Sequence, residues 1–140
     1  MTAQELLRYQ LDDLEYQLRA CLEPMSEAQL DTNPAEKAYT PRQAIGHLCE
    51  AYEAFLARMN LTEWKWGSYS LPDDAKDAAL TTLWETRNRA ADAACASDLD
   101  DAYRMAHAYI IAHDAYHVGQ LCLVLMQTDP NWDPYSIYSH

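Results

Sequence analysis

Two histidines, His113 and His117, stand four residues apart in the run AYIIAHDAYHVGQLCLVL, Ala108 to Leu125. If that run is helical, residues four apart lie one turn apart on the same face. One nitrogen of each imidazole can then reach a common metal ion, as the paired histidines of helical zinc sites do. A pair is not a site, and a third ligand is required. His107, six residues before His113, points about 120° away around such a helix. His140 is the terminal residue, which leaves His47 on a different segment. Two readings of His47, His113 and His117 then stand side by side. They form one ligand set if the helices that carry them pack together, or each is satisfied separately in or beside a core.

The segment that carries His113 and His117 has to be a helix. Ala106, Ile110, His113, His117, Leu121 and Val124 recur at spacings of three and four, which predicts a single inward stripe containing both histidines. The chain before it divides into three further helical stretches. A first helix is predicted over 2–23, where Leu7, Leu11, Leu14, Leu18 and Cys21 or Leu22 follow the seam of an antiparallel bundle and Pro24 ends it. Ser26 to Gln29 has a capping-box pattern that starts one turn within a polar connector. The helix that carries His47 has a marked start, with Thr40 as N-cap, Pro41 at the first helical position and Gln43 to close a capping box. Ile45, Leu48, Tyr52, Phe55 or Leu56, and Met59 give its buried stripe. Gly46 beside His47 suggests a close approach by a neighbouring helix or a ligand.

The stretch NLTEWKWGSYSLP is too irregular for a helix and too aromatic for a disordered linker, and is expected to fold back over one end of the bundle. A third long helix is predicted over 73–96, with Leu80, Leu83, Trp84, Ala91 and Ala94 inward. The last begins at a cap formed by Asp98 with Asp101 and runs to about Gln127, before Asp129-Pro130. The aromatic tail NWDPYSIYSH is expected along the outside of the bundle or against a second copy.

Composition agrees with an all-α antiparallel four-helix bundle in a single domain, residues 1–140. Hydrophobic residues make up 49% of the chain, glycines number three, and valine and isoleucine are scarce beside good helix formers. Twenty-two acidic against ten basic residues give a formal charge of −12, which repels a phosphate backbone and predicts no direct nucleic-acid or anionic-membrane partner. The acidic N-terminal stretch has no signal-peptide pattern and no apolar run spans a bilayer, so a cytoplasmic protein is expected. In that compartment Cys21, Cys49, Cys95 and Cys122, which form no CxxC pair, read as small apolar core residues. Cys49 and Cys122 lie off the histidine faces.

One histidine in TPRQAIGHL, followed in the last helix by HDAYHVGQL with its HxxYHxGQ run, resembles the DinB (DinB/YfiT-like) family of damage-inducible four-helix bundles. The resemblance covers essentially the whole chain. It implies that His47, His113 and His117 hold a divalent metal ion, zinc or nickel above all, and that the protein is a homodimer. It also implies kinship with thiol-dependent S-transferases and isomerases that act with low-molecular-weight thiols.

Three neutral imidazoles leave such an ion its full charge and an open position, the pattern of a catalytic site. A thiol there makes a thiol transferase and a water makes a hydrolase. A metal- or small-ligand-binding stress protein without turnover is the alternative. A haem bundle suits this spacing less well than one small ion does. Glu50 and Gln120, three residues after His47 and His117, are placed to orient a ligand or touch substrate, and Tyr109 and Tyr116 to line the pocket. Trp64, Trp66, Trp132, Tyr135 and Tyr138 fall outside the helical stripes and are read as interface residues of the homodimer.

Overall fold

The first-helix seam is buried as its spacing requires: Leu7, Leu11, Leu14, Leu18, Cys21 and Leu22 all face the core from α1 (Ala3–Leu22). In this computed structural model, which describes residues 1–98 and 100–139, the chain is all-helical, with no strand among the described residues. Leu99 and His140 lie outside the described residues. The other elements are α2 (Glu27–Leu30), α3 (Pro41–Met59), α4 (Lys76–Ala96), α5 (Ala102–Ala106), a π-helical turn (His107–Ile111), α6 (Ala112–Thr128) and a 3-10 turn (Pro134–Ile137).

α1 packs against α6 and α4, and α3 packs against α4, the π turn and α6, so one core lies between the long helices. Tyr52, Phe55, Ile45 and Leu48 of α3 meet Leu11, Leu18, Leu83, Ile110 and Leu121 there. Burial of such side chains contributes about 1.5 to 3 kcal/mol each and is the main term holding the fold together. No helix among the described residues is long and apolar enough to cross a membrane.

Helix starts obey local chemistry. Thr2 with Glu5, Ser26 with Gln29 and Thr40 with Gln43 each form a reciprocal capping box, satisfying backbone donors that the first helical turn leaves over. α4 starts three residues later than the spacing suggests. Pro72 precedes, and the Asp73 carboxylate accepts from the Ala75 amide at 2.9 Å, which holds a turn in place of a helix. Asp101 likewise does not cap α5, and its side chain pairs with Arg104 at 3.3 Å.

The aromatic connector after α3 is non-helical, with Leu61 at φ 57° and Gly67 at φ 86°. It lies alongside α3. Leu71 comes within 3.7 Å of where a Cβ on Gly46 would stand, so the neighbour of Gly46 is the connector rather than a helix or ligand, in ordinary contact. The C-terminal tail packs along α1, with Ile137 buried and Trp132 half-buried against the core. All four cysteines are free; Cys21 and Cys49 are buried, whereas Cys95 and Cys122 are only half-buried.

Candidate metal centre

The expectation of one inward stripe holding both histidines needs correction. His117 is buried, but His113 is half-exposed on the flank, and the fully buried position between them belongs to Asp114. The π turn sits immediately upstream. Such an insertion rotates the downstream helix by a fraction of a turn, and here it gives the core to Ile110 and Asp114 and turns His113 towards an opening.

Asp114 is held by a network that the sequence pattern did not reveal. Tyr52 of α3 donates its hydroxyl to Asp114 Oδ1 at 2.5 Å, and Arg87 of α4 donates Nε to Oδ2 at 3.0 Å. Arg87 also donates Nη2 to the Leu11 carbonyl of α1 at 2.7 Å. Burial pushes the Asp114 carboxyl up to about 6 against the opposing pull of Arg87 and Tyr52. A signal existed: Arg87 fills the gap between Leu83 and Ala91 in the α4 stripe, a charged residue at a core register position, which demands a buried partner.

His47 of α3 meets the pair. His47 Nε2 and His113 Nε2 are 3.0 Å apart, His113 Nε2 and His117 Nε2 are 3.2 Å apart, and ligand nitrogens of all three lie within 4.8 Å of one another. Two nitrogens bound to one tetrahedral zinc-like ion at about 2.0 to 2.1 Å stand about 3.3 Å apart, so these side chains are at ligand spacing. Three neutral nitrogen donors suit a divalent transition-metal ion and not calcium or magnesium, which take oxygen. Burial lowers the basicity of all three imidazoles. It pushes His113 to about 4, helped by His47, and His117 to about 3, helped by His113 and His47. Burial lowers His47 too, with Glu50 acting against it. Neutral imidazole is the ligating form.

The surrounding residues divide. Tyr109, in the π turn, lines a cavity of about 340 Å³ together with His47, Ala51, Trp66, Ala108 and His113. Tyr116 does not line it: it is 63% exposed, edge-on to His117 at 5.2 Å, and its hydroxyl accepts from Gln120 Nε2 at 3.2 Å. His117 Nδ1 and Gln120 Oε1 are both buried with no hydrogen-bond partner among the described residues. His113 Nδ1 is buried without a partner as well.

Glu50 has a structural task. Its carboxylate accepts from the Gly67 amide at 3.1 Å and the Tyr69 amide at 3.0 Å, tying the connector to α3. Tyr39, which sequence reasoning passed over, covers the histidines from the other side. Its ring is 5.0 Å from that of His47 and stacks at 6.4 Å on His117. The only local hint was its place directly before the Thr40 capping box.

Comparison with protein-family models, with curated proteins and with solved structures finds no match to this chain.

Proposed function

We propose that this chain is a divalent-metal protein of DinB-like kind. In this reading its long helices form an antiparallel four-helix bundle, two copies associate, and His47, His113 and His117 hold zinc or nickel for a thiol-transferase or hydrolase reaction. The observation that carries the reading is the convergence of three imidazole nitrogens from α3 and α6 beside an open cavity. The HxxYHxGQ run supports the family assignment. Packing of α1, α3, α4 and α6 around one core supports the bundle. A divalent ion held there supplies a Lewis-acid position at which a thiol or water is acidified.

The chain's own residues prepare that position. Burial keeps the imidazoles neutral at neutral pH, the Tyr52–Asp114–Arg87 network holds α6 in rotation, and Trp66 and Tyr109 shield one side from water. One observation favours the non-catalytic alternative, a metal- or small-ligand-binding protein. Glu50, the acidic residue nearest His47 in sequence, is committed to two backbone amides and is not free to act as a base.

The test is metal content of protein purified without a histidine tag, compared with His117→Gln. The expected result is one ion per chain in the wild type, none in the variant, and unchanged far-ultraviolet circular dichroism. The melting temperature of the variant should no longer respond to zinc or nickel. A variant that binds with wild-type affinity would make His117 an ordinary core histidine. One that unfolds outright would make the ion part of the fold and weaken the enzyme reading.

A further inference from the structure

Cys21 of α1 and Cys122 of α6 meet where these two helices pack together, with their sulfurs 3.8 Å apart. They stand 101 positions apart in the chain, so only the docking of α6 on α1 brings them into contact. A disulfide needs a sulfur separation of about 2.0 Å, and rotation of the two side chains supplies the remaining closure of less than about 2 Å. Among the described residues the set of three metal-ligating side chains is the histidine cluster, so the two cysteines stand as a dithiol and not as part of a second metal site.

The two sulfurs are not equivalent. Cys21 is fully buried whereas Cys122 is half-buried, so a small oxidant in solvent reaches Cys122 first. Donation by the Cys21 thiol holds Cys122 below the ordinary thiol range, and the same bond together with burial raises Cys21. Charge on sulfur costs less at the more exposed position, and the thiolate is the form that attacks. Cys95 is also half-buried, but burial raises its thiol.

We propose that Cys21 and Cys122 form a reversible redox site, in which a hydroperoxide oxidises Cys122 and Cys21 then closes a disulfide between α1 and α6. In the first step the Cys122 thiolate attacks one peroxide oxygen and the O–O bond breaks. The other oxygen leaves as alcohol or water after taking a proton, and Cys122 is left as a sulfenic acid. The Cys21 sulfur attacks that sulfur, the S–S bond forms as the S–O bond breaks, and the hydroxyl departs as water with the Cys21 proton. The two thiols thus lose two electrons to the peroxide, and an external dithiol returns them. The site acts independently of the histidine cluster.

Arg42, Arg89 and Arg104 place the four cysteines in separate tryptic peptides, so each can be followed by mass spectrometry. The folded chain is to be treated with hydrogen peroxide in the presence of a chelator, which excludes metal-catalysed oxidation, then alkylated and digested. The expected product is one peptide pair joined through Cys21 and Cys122 within a single chain, formed about tenfold or more faster than Cys95 is oxidised and reversed by dithiothreitol. Cys21→Ala should leave Cys122 as a sulfenic acid that dimedone captures, and Cys122→Ala should leave Cys21 unoxidised. Circular dichroism checks that both variants are folded, and Cys21→Ser serves if Cys21→Ala is not. If Cys95 is oxidised while Cys21 and Cys122 stay alkylatable, the two are core residues only and the proposal fails, whatever the variants do. Links through Cys49 or Cys95, or between chains, at a comparable rate would equally overturn it. Oxidation of Cys21 in folded Cys122→Ala at the wild-type rate would overturn the order of attack.

Discussion

Arg87 and Asp114 form a buried ion pair: Arg87 Nε donates to Asp114 Oδ2 at 3.0 Å, Nη2 stands 3.0 Å from the same oxygen, and both side chains are removed from solvent. Through Tyr52 and the Leu11 carbonyl this pair joins α1, α3, α4 and α6. Asp114 is the residue directly after His113 and precedes His117 by three, so the bonds that hold its carboxylate also set the direction of both imidazoles. The histidine cluster and the polar centre of the core are thus two faces of one helix position.

Removal of one partner should therefore be costly. Asp114→Ala leaves the buried Arg87 guanidinium with Glu15, 4.0 Å away, as its remaining carboxylate partner, and a loss of about 3 kcal/mol is expected in urea unfolding. Zinc affinity should fall as well, because α6 is then free to rotate. A loss below about 1 kcal/mol would mean that the network is not held as described.

Acid should act on the histidines in a definite direction. His117 is depressed from 6.5 to about 3 by burial and by its histidine neighbours. In metal-free protein the unfolded chain therefore takes up that proton first, and the stability this residue contributes above pH 6.5 is lost as the pH falls towards 3. Asp114, raised to about 6, works in the opposite sense between pH 6 and 4 and masks the effect in wild type alone. The informative quantity is the stability of wild type minus that of His117→Gln, which should shrink from pH 7 to pH 4. A constant difference would mean that His117 titrates normally.

The tie between Glu50 and the connector predicts a proteolytic phenotype. Glu50→Gln replaces a carboxylate that accepts from Gly67 and Tyr69 with a weaker acceptor, so the connector should open more often. Trypsin is expected to cut after the exposed Lys65 several-fold faster than in wild type. Unchanged cleavage with altered metal affinity would instead place Glu50 in the service of His47.

Assembly is testable through the aromatics that the fold leaves outside. Trp64 and Trp132 are half-buried in their own chain, whereas Trp66, Tyr135 and Tyr138 are 51%, 77% and 48% exposed. Aromatic residues are enriched at interfaces. Sedimentation should give twice 16.0 kDa at micromolar concentration, and Tyr135→Asp should shift the protein towards monomer. A wild-type monomer would contradict the dimer.

The features legible along the chain were local ones. The leucine seam of α1, the Thr40-Pro41-Gln43 start of α3 and the four-residue spacing of His113 and His117 arise from helix periodicity and from capping within a few residues. Packing between helices decided the rest. His47 stands 66 positions before His113, and no pattern along the chain measures the 3.0 Å between their nitrogens. The burial of Asp114 depended on a π turn that periodicity does not register, and on acceptance of its charge by Arg87 and Tyr52 from two other helices. Glu50 had the right spacing to serve His47, but two backbone amides of a distant loop held its carboxylate first. A side chain's chemistry is written in its type, but which groups share its surroundings is settled only when separate helices pack, because burial and pairing act through space and not along the chain.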